Sequence, residues 1–409
     1  MNITLRLAWR NLWRQPRRTW LTTGAMVFSN VLLVFMISLQ FGMYRMMIDN
    51  SLRAFTGHMQ VQAAGYKDDR KMRQSVPGAA ELADRVRAET GLNTVAARAA
   101  AFALASSEDR SYGIQVYGVQ PDFEPGVSSI PGLVKRGRYL ADRNAAEIVI
   151  GSVLARNLKV DVGDELTLLG SGLDGSFAAG VVIVVGIFDS GVVELDRSIA
   201  EMPLAAFQDM FAMGEGGHEI VIATSDLFAS SGVTRQVRDS LPADGGLVVH
   251  DWVALQPGLQ QAIQADMAGA WFMYAVLVVL VAFSVLNTQL MSVLERTKEF
   301  GIILSLGLTP GRIGRLVVLE TALMGGLGLV IGVVIGGLLT YWVGIDGFSY
   351  PGLEDMAAQF NLDGRIYPQL SVLSAMIGPT VVFLFTLLAS AYPALRLYWL
   401  HPVEAMRAA

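Results

Sequence analysis

Hydrophobic and polar positions divide this chain into two regimes. Four stretches free or nearly free of charge, Thr19 to Tyr44, Met267 to Leu294, Leu316 to Ile345 and Ile366 to Leu395, are each long enough to cross a hydrocarbon core in a helix, which takes about 20 residues. Between the first and second of these the pattern changes to short alternating runs and loops. His58–Ala63, Arg98–Leu104, Ser111–Val119, Leu166–Leu169, Val181–Ile187, Glu219–Ala223 and Leu247–His250 read as strands. Ala79–Glu89, Glu147–Leu158 and Gly232–Ser240 read as helices, and Asp251 is placed to cap a helix leading into the second span.

The prediction is therefore a membrane protein with four transmembrane α-helices, arranged one plus three, and a large two-lobed α+β domain between the first two. The central lobe, about 120–215, is richer in strands. The expected order is an N-terminal interfacial helix (1–18), a first span (19–44), the domain (45–266), a second span (267–294), a connecting helix (295–315), a third span (316–345), a loop (346–365), a fourth span (366–395) and a tail (396–409). In the first segment Leu5, Ala8, Trp9 and Leu12 share one helical side and Arg6, Arg10, Arg14 and Arg17 another, and Pro16 marks the corner.

Charge sets the orientation. Arg6, Arg10, Arg14, Arg17 and Arg18 precede the first span without an acid, and the Glu295 to Arg315 segment carries four basic residues against two acids. Positive charge stays on the cytoplasmic side, so both termini and that segment are expected there. Residues 45–266 hold 19 basic and 28 acidic side chains, and the domain is expected outside, on the face away from the cytoplasm. The first apolar run is long for a cleavable signal and is expected to be a retained anchor.

Composition agrees: 53% of residues are hydrophobic and 16% charged, against roughly 25% charged in a soluble domain. With no cysteine there is no disulfide, thiolate site or cysteine nucleophile. His58, His218, His250 and His401 lack metal-ligand spacing and are expected to be isolated surface or interface residues. Neither a G-x-x-x-x-G-K-[ST] loop nor a G-x-S-x-G elbow occurs, so no enzyme is expected and no cofactor is expected in this chain. Asp161 and Asp164 read as solvated acids of a turn, and the acidic domain argues against nucleic acid as a partner.

Three features within the membrane part carry candidate function. Gly328, Gly332 and Gly336, four apart, line one helix face and permit close helix packing, which makes the third span central to the bundle or to a dimer contact. Glu320 lies one turn inside the same span; it is either a functional intramembrane carboxylate or a group that pairs with Arg315 and Arg312 at the interface. Asn287 in the second span is a further polar contact. Between the second and third spans, Glu295, Arg296, Lys298 and Glu299 offer charges for register, and Ile302, Ile303 and Leu306 offer apolar knobs, as a docking helix requires.

The segment Glu295-Arg-Thr-Lys-Glu-Phe-Gly-Ile-Ile-Leu-Ser-Leu-Gly307 resembles the E-R-x-x-E-[IF]-G-[IV]-x-x-x-x-G segment of MacB/FtsX-type permeases, the type VII ABC transporter superfamily. Ala8-Trp-Arg-Asn-Leu12, Tyr392-Pro-Ala-Leu-Arg396 and His401-Pro-Val-Glu-Ala-Met-Arg407 resemble its N-terminal helix and its tail. Gly118-Val-Gln-Pro-Asp122, Gly137-Arg-Tyr-Leu140, Ile148-Val-Ile-Gly151 and Val162-Gly-Asp164 are similar to landmarks of its outer domain. The resemblance covers essentially the whole chain.

It implies that two copies, or two paralogues, pair in the membrane and dock a cytoplasmic ATPase dimer, expected here as a separate polypeptide that binds ATP and Mg2+. Glu295, Arg296, Lys298, Glu299, Phe300, Gly301, Leu304 and Gly307 would form the coupling segment. Size makes the chain most similar to the LolC/LolE lipoprotein-releasing permeases, which implies lipoprotein or other lipidated cargo and a periplasmic acceptor. The other readings are a MacB-like efflux permease with a periplasmic adaptor and an FtsX-like scaffold regulating a cell-wall hydrolase.

Overall fold

A computed structural model describes residues 3–224, 230–242, 246–354, 357 and 364–399. The stretch His401 to Arg407, singled out above, lies outside the described residues. The chain forms two compact units: a helical one (residues 1–44, 263–350 and 365–409) and an α+β one (residues 45–262 and 351–364).

The helical unit contains four helices long and apolar enough to span a membrane: Pro16–Ser51, Pro257–Glu295, Pro310–Asp346 and Val372–Arg396. Ahead of them Ile3–Leu12 is a separate helix, and Pro16 opens the next one after a short break. Its apolar side is buried at Ala8 and Leu12. Trp9, Trp13 and Trp20 remain exposed and stack edge to face at 5.9 and 6.0 Å, an amphipathic ridge of the kind that settles at a membrane–water boundary.

Glycine decides how the spans pack. A Cβ at Gly332 would lie 2.4 Å from the Asn30 Cβ, one at Gly328 2.8 Å from the Met26 Cβ, and one at Gly336 3.0 Å from the Val34 Cβ. The third span therefore meets the first along the whole glycine stripe, and Asn30 donates to the Gly328 carbonyl at 3.1 Å. Gly378 of the fourth span sits against Leu33, and Gly325 against Phe383. The second span adds Tyr274, Val278, Val281 and Val285 to Met26, Leu33, Ile37 and Val382.

The fourth helix begins at Val372 rather than at Ile366. Ser371 and Ser374 form a capping box, which fixes the start. Before it the chain is extended, bridging Phe348 to Ile366 and donating from the Gln369 N–H to the Ser38 carbonyl at 2.8 Å.

The α+β unit is built on ten strands: β1 Met59–Ala63, β2 Val95–Ser106, β3 Ser111–Val119, β4 Val134–Gly137, β5 Glu147–Gly151, β6 Glu165–Ser171, β7 Phe177–Phe188, β8 Ile199–Pro203, β9 Glu219–Ile222 and β10 Leu247–Asp251. Their order is β10-β1-β9-β2-β3-β8-β5-β7-β4, and β6 pairs with both β2 and β7. The six strands β2, β3, β8, β5, β7 and β6 thus close on themselves, forming the strand-rich lobe. β10, β1 and β9 extend from the first part of β2 as the second lobe, flanked by helices Ala79–Thr90 and Ser230–Asp239. The two lobes share β2. Its alanines at 97, 99, 101, 103 and 105 are buried in the core with Ile114, Val116, Leu166, Leu168, Val182 and Val184, small side chains suiting the closed interior.

Glu147–Leu158, read from sequence as helical, is a strand followed by a helix, Ser152–Leu158. Ile148, Val149 and Ile150 are all buried, as in a strand covered on both faces. Asp251 does cap a helix, accepting from the Ala254 N–H at 2.9 Å, but that helix is the single turn Trp252–Leu255 before Pro257. His58 and His218 are buried rather than on the surface. His218 Nδ1 accepts from the Ala100 N–H at 3.0 Å, and its Nε2 lies 3.1 Å from the Met72 carbonyl. Asp164 accepts from the Asp161 N–H in an exposed turn. Among the described residues no cluster is placed to hold a metal ion.

Candidate functional site

At the end of the spans remote in sequence from the α+β unit, five segments meet in one charged network. Helix Thr297–Ser305 follows Glu295 after a break at Arg296 and ends where Gly307 takes a positive φ of 92°. Phe300 and Gly301 are buried, with Phe300 among Val293, Ile313, Val317 and Leu397, and Leu304 is half-buried against them. Lys298, Ile302 and Leu306 face outward; Leu306 is 76% exposed. The helix is thus held by one face and presents an apolar, lysine-bearing face.

Its charged end is tied down from three directions. Glu299 pairs with Arg14 at 2.9 Å and with Arg296 at 3.3 Å, and Glu295 pairs with Arg18 at 3.2 Å. Arg296 reaches Glu320 at 3.2 Å and lies over the Phe300 ring at 5.0 Å. Asn11 donates to Glu320 at 2.6 Å. Thr19, Thr22, Gln289 and Ser292 are among the further side chains that line a cavity of about 230 Å³ between these groups. Three arginines face three glutamates, so the cluster is balanced in charge.

Glu320 is buried, and its partners are Arg296 and Asn11 in place of the expected Arg315 and Arg312. Geometry explains the correction: Arg315 is five residues away, roughly 140° around the helix, and Arg312 lies two turns down. Asn287 faces outward, and Thr288, Gln289 and Ser292 are the polar side chains of the second span that line the cavity. Sequence reading missed Arg14, Arg18 and Asn11 as partners. The signal was present in the matched four-residue spacings, Arg14 and Arg18 against Glu295 and Glu299.

A second feature lies between the first and second spans at their other ends. Met36, Leu39 and Met43 on one side, Gly269, Ala270 and Met273 on the other, and Phe348, Tyr350 and Ile366 line a groove of about 540 Å³. Its polar edge is a chain of hydrogen bonds: Tyr44 Oη donates to Asp266 at 2.6 Å, Gln40 Nε2 to Tyr44 Oη at 2.7 Å, and Tyr274 Oη to Gln40 Oε1 at 2.9 Å. Methionine adapts its shape to irregular apolar partners, so this lining suits a flexible hydrocarbon.

One span, an inserted strand-rich domain, three further spans and a short helix locked between the second and third define a multi-pass membrane protein. Residues 19–240, more than half of the chain, match the MacB-like periplasmic core domain, and residues 271–402 match the FtsX-like permease C-terminal region. The chain belongs to the family of ABC transporter permeases that combine these two parts.

It is 25% identical to the lipoprotein-releasing system transmembrane protein LolC of Xylella fastidiosa over 315 residues, 73% of this chain and 74% of that one. It is 25% identical to LolE of Haemophilus influenzae over 316 residues, 74% of each chain. Among solved structures it is similar to the periplasmic region of MacB from Actinobacillus actinomycetemcomitans, at 15% identity and a TM-score of 0.37, covering 50% of this chain and 93% of that one.

Proposed function

We propose that this chain is the membrane subunit of a lipoprotein-releasing ABC transporter, moving a lipoprotein or another lipidated cargo from the outer leaflet of a bacterial inner membrane. Its termini and the helix Thr297–Ser305 face the cytoplasm, where a separate ATPase dimer, loaded with ATP and Mg2+, docks on Lys298, Ile302 and Leu306. Force on that helix passes through Arg296 to Glu320 in the third span and through Glu295 and Glu299 to Arg18 and Arg14. A second copy or a paralogue completes the transporter.

The observation that carries this reading is the methionine-lined groove between the first and second spans. It is apolar along its length and polar at one edge, matching an acyl chain joined to a polar peptide. The test is a photo-crosslinking amino acid at Met43 or Met273 in native membranes, with mass spectrometry of the adducts. Acylated peptides are expected at both positions and not at Leu338 on the exposed side of the third span. Adducts with phospholipid alone at Met43 and Met273 would refute the reading.

A second reading, efflux through an adaptor protein bound to the outer domain, is favoured by one observation. Phe102, Leu104, Phe177, Val181 and Ile183 form an exposed apolar face on β2 and β7, with Phe102 and Phe177 70% and 75% exposed. Loss of transport in a Phe102→Ser, Phe177→Ser variant that still captures cargo in the groove would point to a protein seated on that face.

A further inference from the structure

The α+β unit contains a polar cleft of about 300 Å³ that the proposed transport role does not use, at the lower end of the volumes of ligand sites, about 300–1,000 Å³. Its floor is formed by Gln60 and Gln62 of β1 and by Glu219, which stands opposite Gln62 on β9. Lys67 and Arg70 stand at the rim, with the Tyr117 hydroxyl beneath Arg70. Ordinary strand-face positions would be apolar, so these buried amides and the carboxylate require partners.

Hydrogen bonding leaves one acceptor over. Gln60 Nε2 donates to the Thr56 carbonyl at 2.6 Å, which turns Gln60 Oε1 toward Gln62 and makes the Gln62 Nε2 its donor at 2.5 Å. The backbone carbonyl fixes both amide orientations. Gln62 Oε1 is then left buried without a donor, on a side chain only 2% exposed. Glu219 is 3% exposed and has no hydrogen-bond or ion-pair partner within the described residues. Burial raises its pKa, opposed by the charges of Arg98 and Arg70. A donor bearing positive charge would satisfy both oxygens and hold Glu219 ionised.

The rim has the opposite character. Arg70 makes one long hydrogen bond, to Tyr117 at 3.4 Å, and Lys67 touches only the Ala254 carbonyl and Asp68, at 3.3 and 3.5 Å. Their outward charge suits an anion. We infer that this cleft binds a small zwitterion, its ammonium group on Gln62 Oε1 and Glu219 and its carboxylate or phosphate on Arg70 and Lys67. The chemistry is shared by a free amino acid and by an ethanolamine phospholipid headgroup. The inference stands whether or not lipoprotein is the cargo.

The test is calorimetric titration of the full chain in nanodiscs with glycine and O-phosphoethanolamine, which carry both poles, and with ethanolamine and inorganic phosphate, which carry one. Both zwitterions should bind saturably, and each single-pole probe about tenfold more weakly or worse. Gln62→Met, close in volume, and Arg70→Gln at the exposed rim should each weaken zwitterion binding by about tenfold while the thermal midpoint is kept; should Gln62→Met fail to fold, Arg70→Gln alone decides.

Equal binding of single-pole probes, no binding of either zwitterion, or wild-type affinity in the folded variants overturns the inference. Nanodiscs of phosphatidylethanolamine and of phosphatidylglycerol separate the sources. A phosphoethanolamine affinity lowered only in the former assigns the site to a lipid headgroup, and equal affinity in both assigns it to a free solute; either supports the zwitterion.

Discussion

Replacing Glu320 by Gln tests the junction through which force is proposed to pass. The wild-type carboxylate accepts from Asn11 at 2.6 Å and from Arg296 at 3.2 and 3.3 Å, in a site where the two charged side chains are 8% and 17% exposed. Glutamine retains one acceptor, so Asn11 stays satisfied, while Arg296 loses a charge-assisted partner and keeps only Glu299 and the Phe300 ring. Hydrogen bonds to charged groups contribute about 1.5–3 kcal/mol when buried; with Glu299 partly compensating, a cost of about 2 kcal/mol is expected.

That cost falls on the contact holding Thr297–Ser305 to the third span, so local opening of that helix should increase about 30-fold. Hydrogen exchange read by mass spectrometry, under conditions where reclosing outpaces exchange, reports it directly. Amides of 297–305 should exchange about 30-fold faster, with the domain amides of 95–119 unchanged. A change under about threefold, or equal acceleration throughout the chain, would refute the assignment of Glu320 as the anchor of this helix. Arg296→Met combined with Glu320→Gln should cost less than the sum of the two alone, because they share the Arg296–Glu320 contact, although Arg296→Met also removes the Glu299 pair and the Phe300 ring contact.

Further outcomes follow from other contacts. Gly332→Val forces a side chain into Asn30 and should lower stability by about 1–3 kcal/mol, whereas Gly326→Ala, with open space around it, should be neutral or stabilising; melts in detergent compare them. Glu299→Lys and Gly301→Pro should leave the protein inserted and end transport at retained ATP hydrolysis, measured as cargo released per ATP consumed. Arg98→Met leaves Glu124 buried without its cation and should cost about 3–5 kcal/mol in unfolding experiments.

Burial beside Glu124 pushes Glu201 up from 4.5 to about 8. Between those values the folded state keeps a proton that the unfolded state gives up, so stability is full below about pH 4.5, declines by up to about 1.4 kcal/mol per pH unit, and levels off above about pH 8. Glu201→Gln should flatten that decline in denaturation midpoints; an unchanged slope would refute the role of Glu201.

The spans were readable because lipid imposes one requirement, an uninterrupted apolar helix, and the glycine stripe because close helix approach demands small residues at fixed spacing. Strands in the domain were readable where one face is partly wet, as in Leu166–Leu169, where Leu166 and Leu168 are buried and Thr167 and Leu169 are half-buried. They were misread where both faces are buried, as at Ile148, Val149 and Ile150, since an unbroken apolar run carries no period. The site was legible as a segment and illegible as a network. Glu320 announced itself by its cost, but its partners come from residues 309 and 24 positions away, and no local rule orders Asn11 or Arg296 against it. Pairing within the helix was the local expectation, and the neighbouring helix end supplied a better angle.

The long strand β2 has a mechanical consequence. It is bonded to β9 over its first residues, to β3 from Arg98 onward and to β6 over its last four. At about 3.3 Å per residue its twelve residues extend roughly 40 Å. A pull along that axis loads these hydrogen bonds in shear, many at once, instead of peeling them singly. The strand therefore works as a tie rod through both lobes: they must travel together under tension, and any compliance must lie in the loops around them.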